Sequence, residues 1–347
     1  MKQSIQWTSP SNIAIVKYWG KHGRQLPMNA SLSFTLSASK TETLVSWTDG
    51  QGDSNCSLNF RFEGKAKPEF EQKIRAFIHS LEPEYSWLKG LHLEIDSKNS
   101  FPHSAGIASS ASAMSALALC LMSICEVQTG TILSEEEFLK QASILSRLGS
   151  GSAARSVYPL AGLWGQTESF AGSSDQYAVP FAASLHPVFH NLYDYVFLVS
   201  KKEKAVSSRA GHQLMENHPY RLGRIAQAKF NMEQLVSILS TGDWDAFAGI
   251  CEEEALTLHG LMMSSRPGFI LLEPDSLNVI HALQQFRKES GVPISYTIDA
   301  GPNIHVLFPA HAKEQVDAWI RRTLPEFWNE PRILFDQVGT GPYKTAL

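Results

Sequence analysis

Apolar and polar positions alternate, or apolar residues run in short blocks, over residues 13–16, 41–47, 58–62 and 91–95, each block broken by Gly, Asn, Asp or Pro. That pattern predicts strands through the first third of the chain. The spacing then changes to that of helices over 108–126 and 134–148. The second of these opens with Ser134 and Glu137 in capping-box spacing, and Gly149 ends it. A polar Gly/Ser segment at 172–174 and a stretch running to Pro187 precede a new strand at 195–199, which sets a domain boundary: 1–187 and 188–347. The second half alternates helices near 222–240, 243–261, 275–289 and 312–322 with strands near 295–298, 304–308 and 333–337. The fold class expected is α+β in two domains, with the helices of the second on one face of its sheet. No internal repeat, low-complexity tract or sustained heptad is found.

Composition narrows the class. At 347 residues, 43% hydrophobic and 18% charged, the chain is too long for one ordinary core. A formal charge of −4, with Lys and Arg dispersed, leaves no electrostatic footprint for nucleic acid, so any phosphate is bound locally. Cys120 and Cys125 fall in an apolar helical run, and with Cys56 and Cys251 they read as free thiols of a reducing compartment, without disulfide or zinc. The N-terminus lacks an apolar signal core, and the most hydrophobic segment, 113–124, reads as too short to span a bilayer. The expectation is a soluble cytoplasmic protein with no membrane partner. His103, His259 and His305 show no ligand spacing, so any metal is expected to be Mg2+ carried on nucleotide phosphates.

Five segments carry candidate chemistry. Residues 101–112 set small, hydroxylated residues before an apolar helix; Pro102 ends what precedes, Gly106 admits a ligand, and the amides from Ala108 through Ser109 and Ser110 to Ala111 can converge on an anion. No Gly-Lys-Ser or Gly-Lys-Thr follows, so this is not the usual P-loop, and a Ser-rich helix cap is the plainer reading. Lys17 and Lys21, four positions apart around Tyr18-Trp19-Gly20, read either as solvated strand-end charges or as cations facing an anion. Gly149-Ser150-Gly151-Ser152-Ala153-Ala154-Arg155 is either a turn between helices or a second anion site, with hydroxyls and one planar guanidinium. Ser207-Ser208-Arg209 repeats hydroxyls beside an Arg, and also suits a helix cap. Asp299 ends an apolar strand before Ala300-Gly301-Pro302-Asn303, as a turn former or as a general base taking a proton from a substrate hydroxyl.

In this order and at these spacings, the segments resemble the mevalonate diphosphate decarboxylases of the GHMP kinase superfamily, over nearly the whole chain. The Pro-Gly-Ser-Ser-Ala loop marks only the superfamily; Lys-Tyr-Trp-Gly-Lys, Gly-Ser-Gly-Ser-Ala-x-Arg and Asp-Ala-Gly-Pro-Asn mark the decarboxylase branch. The resemblance implies a ribosomal-protein-S5-like N-terminal domain and a ferredoxin-like C-terminal domain with the site between them. It implies ATP as co-substrate with Mg2+, a homodimer, and decarboxylation of mevalonate 5-diphosphate after phosphorylation of its 3-hydroxyl. Asp299 would orient or deprotonate that hydroxyl and Lys17 would stabilise the carboxylate. Tyr18, Lys21, Ser150, Ser152, Arg155, Ser208 and Arg209 would hold the substrate's diphosphate and carboxylate. Gly106, Ala108, Ser109 and Ser110 would hold ATP phosphates, Ser110 also touching Mg2+, and Ser97 and Asn99 lie where the family contacts nucleotide. Met28, Ala154 and His103-Ser104 depart from the family pattern. Two readings within the superfamily, a mevalonate 5-phosphate decarboxylase and a mevalonate 3-kinase, stand beside this one, and a nucleotide-binding module without catalysis is the alternative of another class.

Overall fold

The computed structural model describes residues 2–49, 55–102, 107–200 and 208–346. The first half runs β1 (Gln3–Ala14), β2 (Lys21–His22), β3 (Leu26–Pro27), β4 (Ser31–Asp49), β5 (Ser57–Phe62), β6 (Lys65–Ala66), α1 (Pro68–Leu81) and β7 (Leu91–Asn99). Helices α2 (Ser109–Thr129) and α3 (Glu135–Gly149) follow, then a 3-10 turn at Gly151–Arg155, β8 (Ala161–Trp164) and β9 (Ala178–Pro180). The second half contains β10 (Leu192–Phe197), α4 (Ser208–Leu214), α5 (Arg221–Thr241), α6 (Trp244–Met263), α7 (Pro274–Ser290), β11 (Ser295–Ile298) and β12 (Ile304–Pro309). It closes with α8 (Lys313–Thr323), α9 (Pro325–Asn329), β13 (Ile333–Gln337) and β14 (Tyr343–Thr345).

The first sheet has the order β14-β1-β4-β7-β5-β6, with β8 and β9 branching from β4, and only β5 against β7 is parallel. Helix α2 lies on it as the core helix: Leu117 through Met122 and Ile124 are buried among Val45, Leu93 and Ile95 of the sheet. At 21 residues α2 is longer than the apolar block read from sequence, long enough by length and composition to cross a bilayer, yet its apolar side chains are taken up by this core. The first third also contains α1, which a reading of strands alone passes over. Pro68 starts it, and Phe77, Ile78 and Leu81 bury its inner face.

The second sheet is antiparallel throughout, in the order β11-β12-β10-β13. One face packs on α7 and α8 through Tyr195, Phe197, Tyr296 and Val306. The other face is not left open: Leu192, Val196 and Leu307 join a core with Leu32 and Phe34 of β4, Met232 and Leu235 of α5 and Ile250 of α6. The expectation of helices on a single face is corrected accordingly, because this second face also carries apolar side chains, Leu192, Val196 and Leu307, that must be covered. The last strand, β14, leaves the second sheet and pairs with β1.

The seam between the halves has a polar clasp. Pro10 of β1 pairs with Lys40 but Asn12 pairs with Thr35, so the β4 residues between lose their β1 partners. The Asp336 carboxylate of β13 accepts instead from the amides of Ser37, Ala38 and Ser39, at 2.9, 2.7 and 2.8 Å. All four cysteines are free and three are buried.

Candidate active site

A cleft of about 1020 Å3 opens where segments distant in sequence meet. Asn12, Lys17, Tyr18 and Lys21 come from β1 and the chain after it, Ala108 and Ser110 from the start of α2, and Ser150, Ser152 and Arg155 from the turn after α3. His212 of α4, Leu258 of α6 and Asp299 close the other side. β1 ends at Ala14, two residues before the end that the spacing predicts, and Lys17 sits three residues on in the following loop, only 1% exposed rather than solvated.

Its ammonium lies 2.8 Å from Asp299 Oδ1, and the Asp299 side chain keeps 24% of its surface open. Asp299 follows β11 directly, so the rigid antiparallel sheet delivers the carboxylate to the cleft. The ion pair thus sets a partly open carboxylate at the cleft, where it can take a proton from a bound hydroxyl.

Arg155 presents the opposite situation. It is also 1% exposed, and among the described residues its side chain makes one hydrogen bond, a long one of 3.4 Å from Nη2 to Asn12 Oδ1. Its Nε and Nη1 are buried without a hydrogen-bond partner. Burial pushes the guanidinium down to about 10, with Asp299 and Tyr18 pulling the other way, so it remains a cation at neutral pH. The Tyr18 hydroxyl is likewise buried and unpartnered. Burial drives that phenol above its ordinary range against the pull of Arg155 and Arg147, so it is a neutral donor. Gly151 makes this grouping possible: a Cβ there would come within 2.8 Å of Trp164 and 2.9 Å of the Tyr18 hydroxyl. Three unsatisfied donors on two residues that line one cleft suit an anion with several oxygens.

The start of α2 lines the same cleft. Ala108, at φ 29°, turns the chain into the helix, and the Ser110 hydroxyl lies 3.2 Å from that of Ser150. The helix N-terminus therefore faces the cleft beside the Gly-Ser-Gly-Ser turn, and Ser109 lies in the same half-exposed first turn. Ser152 lines the cleft and its carbonyl accepts from Asn12 Nδ2 at 3.1 Å. Lys21 Nζ donates to Gln25 Oε1 at 2.8 Å. Ser97 and Asn99 are not brought to the cleft wall. They lie on β7, bonded to Thr43 and Thr41 of β4, and Thr41 bonds onward to Ser112 of α2. Ser208 and Arg209 open α4; their side chains, Gly106 and the His103-Ser104 departure lie outside the described residues.

The other departures are accommodated locally. Met28 packs in a cluster with Trp19, Met215 and Leu258, its sulfur filling the space a Cβ at Gly20, φ +90°, would need. Ala154 is buried in the N-terminal core.

Several residues here were not read from sequence. His212 stacks on Tyr18 and Trp19, with ring centroids at 4.3 and 4.8 Å, and its Nδ1 accepts from the Gly20 amide at 2.9 Å. Burial, with Lys21 nearby, pushes its pKa down to about 3, so it is a neutral ring carrying its proton on Nε2. Arg224, Glu254 and His259 stand behind Lys17 and Asp299, as developed below. Their signal was a charge on the buried stripe of a helix. Arg224 continues the Ala228, Met232, Leu235 row of α5, and Glu254 the Phe247, Ile250, Leu258 row of α6.

Comparison with known proteins places nearly the whole chain. Residues 9–178 match the family model described as the diphosphomevalonate decarboxylase-like N-terminal domain, and residues 195–340 match the mevalonate 5-diphosphate decarboxylase C-terminal domain. The diphosphomevalonate decarboxylase of Candida albicans is 28% identical, over 99% of this chain and 98% of its own. The mevalonate diphosphate decarboxylase structure from Staphylococcus aureus superposes with a TM-score of 0.84 at 28% identity, covering 100% of this chain and 99% of that one. A structure described as MDDEF in complex with MVAPP, AMPPCP and magnesium gives a TM-score of 0.81 at 29% identity, with full coverage of both chains. The two domain matches and the two-domain GHMP kinase fold together make this chain a member of the mevalonate diphosphate decarboxylase family.

Proposed function

We infer that the cleft is the reaction centre of an ATP-dependent decarboxylase, with Asp299 and Lys17 as the catalytic pair. The enzyme converts mevalonate 5-diphosphate and ATP to isopentenyl diphosphate, ADP, phosphate and carbon dioxide. The observation that carries the assignment is the preformed 2.8 Å Lys17–Asp299 ion pair, set in the same cleft as a buried arginine with two unpaired donors. Asp299 accepts the proton of the tertiary hydroxyl as its oxygen attacks the γ-phosphorus of ATP. Lys17 pairs with the carboxylate and balances the charge that builds on the oxygen. Once phosphorylated, that oxygen can leave as phosphate. The C–O bond breaks while the electrons of the C–CO2 bond move into the new double bond, releasing carbon dioxide. The hydroxyl alone is too poor a leaving group for this, which is why a nucleotide is consumed.

Arg155, Tyr18, Lys21, Ser150 and Ser152 fit the substrate's anionic groups, with Ser208 and Arg209 assigned there from the family pattern. The first turn of α2, with Ala108, Ser109 and Ser110, fits the ATP phosphates, with Gly106, Ser97 and Asn99 carried from the same pattern. Among the described residues no group of three His, Cys, Asp or Glu could hold a metal, and the Ser110 hydroxyl at the cleft is the donor suited to an ion borne mainly by phosphate oxygens. Mg2+ bound there with ATP would screen the charge of the transferring group. A division near residue 187, a homodimer and a cytoplasmic location belong to the same reading. The free thiols suit a reducing compartment, and exposed Leu222 and Phe230 of α5 with Leu256 and Met263 of α6 offer a second copy an apolar surface.

The test is to follow ADP and carbon dioxide in parallel with magnesium-ATP and either mevalonate 5-diphosphate or 5-phosphate. Equal amounts of both from the diphosphate, abolished by Asp299→Asn, are expected. ADP without carbon dioxide would instead make it a 3-kinase, and turnover restricted to the monophosphate would move it to the neighbouring decarboxylase. No turnover with either would leave a nucleotide-binding module.

A further inference from the structure

Arg224 of α5 and Glu254 of α6 form a fully buried, bidentate ion pair: Nη1 to Oε1 at 2.7 Å and Nη2 to Oε2 at 2.6 Å, with the residues 3% and 0% exposed. Such a pair adds little stability over apolar residues of the same volume, because both charges give up their hydration. Apart from bonds to Gln227 and Asn231 of α5, its remaining bonds go to one residue. Glu254 Oε2 accepts from the amide of Lys17 at 2.8 Å, and Arg224 Nη2 donates to the carbonyl of Lys17 at 2.9 Å. Asn29 Nδ2 adds a second bond to that carbonyl at 3.0 Å, and Asn231 Nδ2 steadies Glu254 Oε1 at 2.8 Å. The peptide groups on both sides of the Lys17 Cα are thereby clamped by the C-terminal half of the molecule. Farther along α6, His259 Nε2 lies 3.1 Å from the carbonyl of Asp299. A carbonyl only accepts, so Nε2 is the donor.

We propose that Arg224, Glu254 and His259 are positioning residues: α6 serves as one rigid rod that holds the main chains of Lys17 and Asp299 at a set separation, so that their side chains meet before any ligand arrives. The proposal rests on the reading of Lys17 and Asp299 as the reacting pair. A lysine side chain has four rotatable bonds, and its ammonium is placed only as well as its Cα is. The charged arms of the pair make stronger, more directional bonds to that peptide than neutral groups would. A displacement of about 1 Å at a reacting group costs on the order of 100-fold in rate.

Glu254→Gln, assayed with magnesium-ATP and mevalonate 5-diphosphate, tests it. A kcat lower by about 30- to 100-fold is expected, with both KM values within about twofold of the parent and ADP still matched by carbon dioxide. In a Lys17→Met background the same change should cost nothing further, because the clamp acts through Lys17. Should the single variant fail to fold, Arg224→Met/Glu254→Leu removes the clamp while keeping the volume filled, and the same loss of kcat is expected. A parental kcat in either folded variant overturns the proposal. So does an equal fractional loss in the Lys17→Met background. Failure of the underlying reading would be visible separately, as parental turnover in Lys17→Met or Asp299→Asn.

Discussion

Lys17 and Arg155 are buried to the same degree in the same cleft, yet the protein treats them in opposite ways. Every polar group of Lys17 is answered: its ammonium by Asp299, its amide by Glu254, and its carbonyl by Arg224 and Asn29. Arg155 has one long bond to Asn12, a distant stack on Trp164, and two donors with nothing to bond. A cation completed by the protein is set for chemistry whether or not a ligand is present. A cation left incomplete carries a desolvation cost that an incoming anion removes, so the ligand recovers that energy as affinity. On the proposed assignment, the cleft separates a catalytic half that is preorganised from a binding half that its substrate would finish.

Breaking the preorganised half should have the largest effect. Asp299→Asn is expected to lower kcat by about 10^3- to 10^4-fold while both ligands still bind, read from steady-state rates beside calorimetric affinities. Removing the incomplete cation should shift the loss to binding: Arg155→Met should reduce kcat/KM for the diphosphate by about 100-fold. In denaturant melts the same variant should be as stable as the parent or more so, because an unpaired buried charge has gone. A variant both inactive and unstable would place Arg155 among the structural groups.

His212 sharpens the contrast by pH. It is held neutral in the fold, with a pKa pushed to about 3, whereas the unfolded chain binds a proton near the ordinary 6.5. Between those values the unfolded state holds more protons, so stability falls as pH falls, by about 1.4 kcal/mol per pH unit once below about 6.5. Urea melts at pH 7 and pH 5 should differ by about 2 kcal/mol from this residue, and His212→Phe should remove that difference. Tyr18→Phe should be the mildest change: about tenfold or less in kcat/KM, with stability unchanged because the lost hydroxyl has no partner.

The binding half was the more legible in the sequence. Tyr18, Ser150, Ser152 and Arg155 lie in short glycine-punctuated runs whose donor density is visible in one dimension, and Asp299 ends an apolar strand before a Gly-Pro turn. The preorganised half was only partly legible. Lys17 and Asp299 could be named, but Arg224, Glu254 and His259 sit inside long helical stretches where a charge reads as solvated surface. Only their register on the buried stripe marks them, Arg224 on α5 and Glu254 and His259 on α6. The fold shows the same division. Long periodic helices and the strands of the second sheet followed from spacing, whereas α1, the short α4 and the terminal β14 did not. The strand β14 is three residues long and owes its conformation to pairing with β1 rather than to its own pattern.

The most direct test of the division is the affinity for mevalonate 5-diphosphate, measured by calorimetry without nucleotide in Lys17→Met and Arg155→Met. The account predicts that Lys17→Met binds within about threefold of the parent and that Arg155→Met binds about 100-fold more weakly. Equal losses in the two, or parental binding by Arg155→Met, would contradict it.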